Sequence, residues 1–323
     1  MEFENWALLT QGKEVIWQFG SLNEETRLRT IDFLNGLHKI GKELYDKGIA
    51  SIRFHSSNLL HGDELFIVNL EGSFFLIIYD PLTTIKIIAQ QSDQIPEEMD
   101  LLIRSVLIGQ AVITYANLWS NATPEAGMHI DMLFKQALDE VIPIRTQRDM
   151  NVFVDHGTCS FAGLTTIQCL TFHMLLRRIF EIEYLNLIAN PWAIVQDHTS
   201  MPVYLEYNAP KQAHLIAGYL TVINEYVLDI FNTKLASMVF GGGELSSIDI
   251  VHGLKNFIAI SNPTKLFSDP VFLNKFETFD VKIKNDLRRG LVEYLALAYS
   301  QANYQQYRLK NLNDLLKVIK KEE

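Results

Sequence analysis

The stretch WALLTQGKEVIW fills residues 6–17, and its first four residues return as WAIV at residues 192–195. The same spacing of 186 residues relates Ile49–Phe54 to Leu235–Phe240. A contraction of four residues follows in the second copy and is compensated further along the chain. Because a compensated shift of register is hard to obtain by chance, the sequence predicts an internal duplication.

Each copy shows the element order β-β-α-β-β-β-α. In the first copy, two apolar stretches joined by Gly12-Lys13 predict a hairpin, and Asn23 predicts the start of a helix that ends near Gly48. Three short strands follow, and Pro96 opens a long helix. Short strands with tight turns are typical of antiparallel sheets. We therefore expect an α+β fold of two domains, each a mostly antiparallel five-stranded sheet with helices on both faces.

The predicted domain boundaries follow the repeat. A first domain covers residues 1–142, a connector covers residues 143–190, and a second domain covers residues 191–323. The connector contains a helix between Ile167 and Leu187 that is apolar on nearly all sides. Such a helix has to be buried, and we expect it to lie between the two domains.

Composition narrows the classes of function. The chain has 323 residues, 48% of them hydrophobic, and a net charge of −10, which argues against binding of nucleic acid and leaves at most peripheral contact with membranes. No apolar run approaches the ~20 residues of a membrane span, and the acidic N-terminus does not resemble a signal peptide. Two cysteines fit a reducing compartment. We expect a cytoplasmic protein that reaches membranes only through its partners.

The best candidate for covalent chemistry is the run Asp155-His156-Gly157-Thr158-Cys159. A cysteine close to the start of a helix can have a lowered pKa. However, adjacent Asp and His residues on a strand point to opposite faces. A polar loop with a structural cysteine explains the run better, so we expect no catalytic residue and no cofactor. A thiol hydrolase that uses Cys159, His156 and Asp155 is the alternative.

Metal and phosphate sites are not predicted either. The short pairs of histidine and aspartate lack the i, i+4 spacing of a zinc-protease helix; they are His61 with Asp63, His129 with Asp131, Asp155 with His156, and Asp197 with His198. The run Gly241-Gly242-Gly243 lacks the Lys-Ser/Thr of a phosphate-binding loop and leads into another predicted strand. We interpret it as a flexible connection that can contact a partner.

The element order and its residues resemble the longin domain of the longin/roadblock superfamily. The resemblance rests on Trp6–Trp17 and Ile49–Asn69 in the first copy, and on Trp192–Tyr204 and Leu235–His252 in the second. Chains with several longin domains resemble subunits of exchange factors for Rab-type small GTPases. The resemblance implies a non-catalytic platform that regulates or adapts a small GTPase in membrane trafficking or polarity, with nucleotide exchange as one version of that activity.

The resemblance also implies where partners bind. Such domains use exposed sheet edges and the first helix, since an open edge offers unpaired N–H and C=O groups. The candidate contact residues are Arg27 and Arg29 on the first helix and the loop Gly241, Gly242 and Gly243. The alternative partner is another longin or roadblock protein, in which case the chain is a structural assembly subunit. The sequence also leaves open that two copies of the chain form a dimer.

Overall fold

The computed structural model describes ten strands and the helices around them. The described residues are 5–55, 64–70, 74–90, 95–120, 122–141, 165–166, 168–172, 176, 190–199, 202–210, 212–241 and 246–295. The strands are β1 Trp6–Gln11, β2 Glu14–Phe19, β3 Gly48–Phe54, β4 Glu64–Leu70, β5 Phe74–Tyr79, β6 Trp192–Asp197, β7 Val203–Tyr207, β8 Leu235–Gly241, β9 Ser246–His252 and β10 Asn256–Ser261. The helices are α1 Glu24–Tyr45, α2 Pro81–Gln90, α3 Glu97–Ser120, α4 Pro124–Val141, α5 (helical residues 166, 168–172 and 176), α6 Ala213–Phe231, α7 Pro263–Ser268, α8 Pro270–Glu277 and α9, described over 281–295.

All ten strands form one sheet in the order β2-β1-β5-β4-β3-β8-β9-β10-β6-β7, with antiparallel neighbours. The prediction of two separate longin-like domains with five-stranded sheets is therefore wrong. The physical reason lies at β3 and β8, each of which would be an open edge in a five-stranded half. Each edge satisfies the unpaired backbone groups of the other, so the two halves fuse into one sheet.

The junction of β3 and β8, which we call the seam, has the symmetry of the repeat. Ile52 lies opposite Met238, and these positions are related by the spacing of 186 residues. The two flanking pairs are exchanged by the same spacing: Ser51 with Val239, and Arg53 with Ser237. A pseudo-two-fold axis thus passes between Ile52 and Met238, as in an isologous dimer.

One face of the sheet carries α1 and α6 over a single core that crosses the seam. Ile52 and Met238 are buried in this core together with Trp6 and Trp192. The two helices also touch, because the ring of Phe33 stacks on that of Tyr226 with centroids 5.6 Å apart. Burial of apolar surface against a shared core therefore holds the halves together.

The opposite face carries two separate cores. The first half packs α2, α3, α4 and α5 on its strands, and the second half packs α7, α8 and α9. The described connector residues Cys169, Leu170 and Phe172 are buried in the core of the first half. Most of residues 143–189 lie outside the described residues, so the domain boundaries stay a prediction.

The first helix begins as its sequence predicts. The backbone N–H of Thr26 donates to the Asn23 side chain at 2.8 Å, which caps the helix N-terminus. Asp46 follows the last turn with a φ of 53° and ends the helix in the left-handed conformation. Over the described parts of the chain, helices that combine the length and apolar character of a membrane span do not occur.

Candidate functional site

The two candidate arginines of α1 face different neighbours. Arg27 turns towards the outer edge of the sheet, where its Nη1 donates to Gln18 Oε1 at 3.1 Å. Arg29 turns towards α6 and forms an ion pair with Asp229 at 2.9 Å. Of the two arginines, Arg29 is the one that lies where α1 and α6 meet, and its side chain is 49% exposed.

The other predicted contact residues are less informative. Gly241 ends β8 at the seam, where it lies opposite Gly48. Gly242 and Gly243 lie outside the described residues, as do Asp155, His156 and Cys159, so the alternative thiol site stays a prediction. The pair His61 and Asp63 also falls outside them.

Three exposed apolar side chains lie on one side of α6 above the shared core. Leu215, Val222 and Tyr226 are 53%, 51% and 49% exposed, and their spacing of seven and four residues places them on one side of the helix. The opposite side, with Ile216 and Leu220, is buried. We call Leu215, Val222 and Tyr226 the α6 stripe.

The α6 stripe borders open space on α1. By the repeat spacing, Gly36 of α1 is the equivalent of Val222, and it lies one turn beyond Phe33, which contacts Tyr226. A Cβ atom added to Gly36 would meet nothing within 4 Å. Arg29, Gly36 and the α6 stripe thus form a half-apolar surface above the pseudo-two-fold axis, which we call the α1–α6 surface.

The sequence carried a signal for this surface. Helix α6 has more apolar residues than one buried face can hold, because residues 215, 222 and 226 add a second apolar side to the buried set. An amphipathic helix with one partner shows a single apolar stripe. A second stripe indicates a second partner.

A cluster of three histidines lies at one end of the seam. His55 follows β3, His198 follows β6, and His252 ends β9. The ring of His252 lies between the other two, with centroids 5.3 Å from His55 and 5.2 Å from His198. The Nε2 atom of His252 is 2.7 Å from the carbonyl oxygen of Leu235. No spacing in the sequence could reveal this cluster, because its members come from three distant strands.

The environment of the three rings lowers their pKa values and so favours the neutral form. Burial above all, with smaller contributions from His55, His198 and Lys234, lowers the pKa of His252 to about 3, although the hydrogen bond to Leu235 acts in the opposite direction. Burial also lowers the pKa of His55 and of His198. The rings of His198 and His252 stack almost in parallel, at 5°. Within the described residues, no three side chains that bind metals converge on one point.

A carboxylate from α9 holds the turn beside this cluster. Asp286 accepts hydrogen bonds from the backbone N–H groups of Leu254, Lys255 and Asn256 at 3.0, 3.1 and 2.9 Å. The Asn256 side chain donates a fourth bond at 3.0 Å. Burial raises the pKa of the Asp286 carboxyl, but these hydrogen bonds outweigh it, so its pKa lies below the ordinary value.

Replacement of Asp286 by Ala should lower the free energy of unfolding by about 2 kcal/mol, because hydrogen bonds to a charged group are lost together. Urea denaturation at neutral pH measures this. The control is Asp280→Ala, which removes only a helix cap to Lys282 and Ile283 and should cost about 1 kcal/mol. Equal losses of unfolding free energy in the two variants would show that Asp286 does not hold the turn after β9.

The pH dependence of that loss follows from the lowered pKa of Asp286. A carboxyl with a lowered folded-state pKa stabilises the fold above its unfolded-state pKa of about 3.9 and loses that contribution as pH falls through the folded value. The difference between wild type and Asp286→Ala should therefore shrink below about pH 4. A difference that persists undiminished in acid would show that the charge of Asp286 is not what holds the turn.

The sequence matches no protein-family model and no curated protein. The likeness to the longin domain thus rests on element order and on the quoted residues alone.

Proposed function

We propose that the protein is a non-catalytic platform that binds a small GTPase of the Rab type on its α1–α6 surface. It acts as a regulator or adaptor in membrane trafficking or polarity, in the cytoplasm and at membranes only through its partners. The observation that carries the proposal is the α6 stripe. Exposed apolar side chains that are grouped on one face of a folded protein are typical of interaction sites.

Two further observations support a protein as the ligand. The net charge of −10 disfavours phosphate backbones and anionic lipid. The resemblance to longin chains supports a small GTPase as the partner class, with the first helix of each copy as the contact element. If the platform promotes nucleotide exchange, it does so by binding the nucleotide-free GTPase more tightly than the loaded form.

The state of the sheet edges favours a partner that binds on the helical face over one that pairs with an edge strand. The inner edges β3 and β8 are occupied by each other. At the outer strand β7, Lys275 Nζ donates to the backbone carbonyl of Glu206 at 2.5 Å, and a lysine at an edge disfavours strand addition. For this reason we do not favour a structural subunit that pairs with another longin or roadblock protein through β3, β8 or β7.

Replacement of Val222 by Asp should weaken binding of the cognate small GTPase at least ~10-fold. A charge in the middle of an apolar contact costs more than about 1.4 kcal/mol, which corresponds to that factor. The control is Val292→Asp on α9, which is 59% exposed against 51% for Val222 but lies on the opposite face. Titration of a panel of nucleotide-free and loaded GTPases gives the dissociation constants.

Arg29→Glu offers a second matched comparison. Arg29 pairs with Glu25 four residues earlier, and Arg289 of α9 pairs with Glu293 four residues later. Arg29→Glu should reduce GTPase binding several-fold, whereas Arg289→Glu should leave it unchanged. The proposal is wrong if no GTPase binds the wild type. It is also wrong if Val222→Asp binds as well as Val292→Asp and Arg29→Glu binds as well as Arg289→Glu.

A further inference from the structure

The histidine cluster joins the two halves of the chain. His55 belongs to the first half, while His198 and His252 belong to the second. At the same end of the seam, the backbone N–H of His55 donates to the backbone carbonyl of Lys234 at 2.8 Å, and Thr233 Oγ1 donates to the backbone carbonyl of His55 at 2.8 Å. The edge-to-face contact of His55 with His252 and these backbone contacts together close this end of the β3–β8 junction.

We propose that the His55–His252–His198 column is a proton-sensitive latch, and that its protonation opens this end of the seam. The inference is independent of the proposed GTPase binding. It rests on the packing of three imidazole rings across the junction of the two halves.

Hydrogen bonding shows why a proton is badly accommodated. A carbonyl oxygen only accepts, so His252 donates to Leu235 through Nε2 and carries its free lone pair on Nδ1. Within the described residues, this Nδ1 is buried without a hydrogen-bond partner, and so is Nε2 of His198. A proton on Nδ1 of His252 would add a buried N–H without an acceptor and a charge between two rings.

The charged groups around the column do not compensate. Lys234 adds a positive charge that acts on all three rings. The nearby carboxylates already have other partners. Asp286 holds the turn after β9, Asp197 accepts from Thr199 and Tyr204, and Glu293 pairs with Arg289.

The sign of the effect follows from the lowered pKa values of the three histidines. A group whose folded-state pKa is lowered binds more protons when its site is open, so acid favours the open form. The latch is therefore closed above the ordinary histidine pKa of about 6.5 and weakens as pH falls below it, by up to tenfold in the opening constant per pH unit for each proton taken up. For His252 the weakening continues towards a pKa of about 3.

Hydrogen exchange of the full-length protein tests the latch. Opening is compared at about pH 6.5 and about pH 5, corrected for intrinsic exchange, in peptides that cover residues 48–55 and 234–241. In the wild type, opening there should rise at least ~10-fold, and more than in strands β1 and β5, which do not border the seam. In His252→Gln, whose amide can still donate to Leu235 but takes up no proton, the rise should be several-fold smaller, because only His55 and His198 still take up protons.

His214→Gln is the matched control, because His214 is an exposed histidine of α6 outside the column. It should behave as the wild type does. The same rise in His252→Gln as in the wild type would overturn the proposal, and so would a rise that is uniform over the sheet. If His252→Gln does not fold, a proton NMR titration of the wild-type histidines decides: His252 has to remain neutral below about pH 5, and ordinary titration of all nine histidines near pH 6.5 would overturn the latch.

Discussion

An aspartate in place of Ile52 should unfold both halves of the protein together. Ile52 is fully buried, lies opposite Met238 on the pseudo-two-fold axis, and belongs to the core that crosses the seam. An unpaired charge at such a site costs several kcal/mol, which is comparable to the 5–15 kcal/mol that stabilises a typical domain. Because the same site serves both halves, neither half retains its packing.

Hydrogen exchange during urea denaturation measures this cooperativity. The milder variant Ile52→Ala should lower the free energy of unfolding by about 2–5 kcal/mol, and protection of β5 and of β10 should disappear at the same urea concentration. The control is Leu254→Ala, since Leu254 is 92% exposed and loss of its side chain should change stability by less than about 0.5 kcal/mol. Loss of β5 at a urea concentration that leaves β10 protected would contradict a single folding unit.

Replacement of Trp6 by Ala should be nearly as damaging. The Trp6 side chain is fully buried and stacks on Tyr79 with ring centroids 5.7 Å apart and planes at 7°. Removal of a buried aromatic ring costs about 3–5 kcal/mol, because packing is lost and a cavity remains. Far-UV circular dichroism during urea denaturation gives the change in the free energy of unfolding.

Trp119→Ala is the matched control for Trp6. Trp119 is 45% exposed at the end of α3, and its Nε1 donates to Asp131 at 3.0 Å. Its replacement should cost about 1 kcal/mol, the typical value of one hydrogen bond. Similar losses for Trp6→Ala and Trp119→Ala would show that the core of the sheet is not where the stability lies.

Local patterns in the sequence predicted much of the secondary structure. The strands Trp6–Gln11 and Trp192–Asp197 begin and end where their apolar patterns do. The short helices after β5 and β10, which begin at Pro81 and Pro263, were not predicted. A proline after a strand is equally compatible with a turn, and only the packing of residues such as Leu266 against the sheet decides for a helix.

The pairing of β3 with β8 could not be predicted from the sequence. Both strands are short and apolar, and the pattern of a strand shows which face is buried but not which neighbour completes its edge. The same limit applies to the candidate site. The sequence placed Arg27 and Arg29 on one helix, but the partner that separates them, Asp229, lies 200 residues away.

The pseudo-two-fold axis has a consequence for stoichiometry. In a dimer of identical chains, a surface on the axis is the same from both directions, so a partner can bind in two equivalent orientations. Here the equivalents of Arg29 and Gly36 are Leu215 and Val222, so the two directions differ. A single chain whose copies have diverged offers an asymmetric partner one orientation. If the α1–α6 surface binds a partner, we therefore expect one chain to bind one partner.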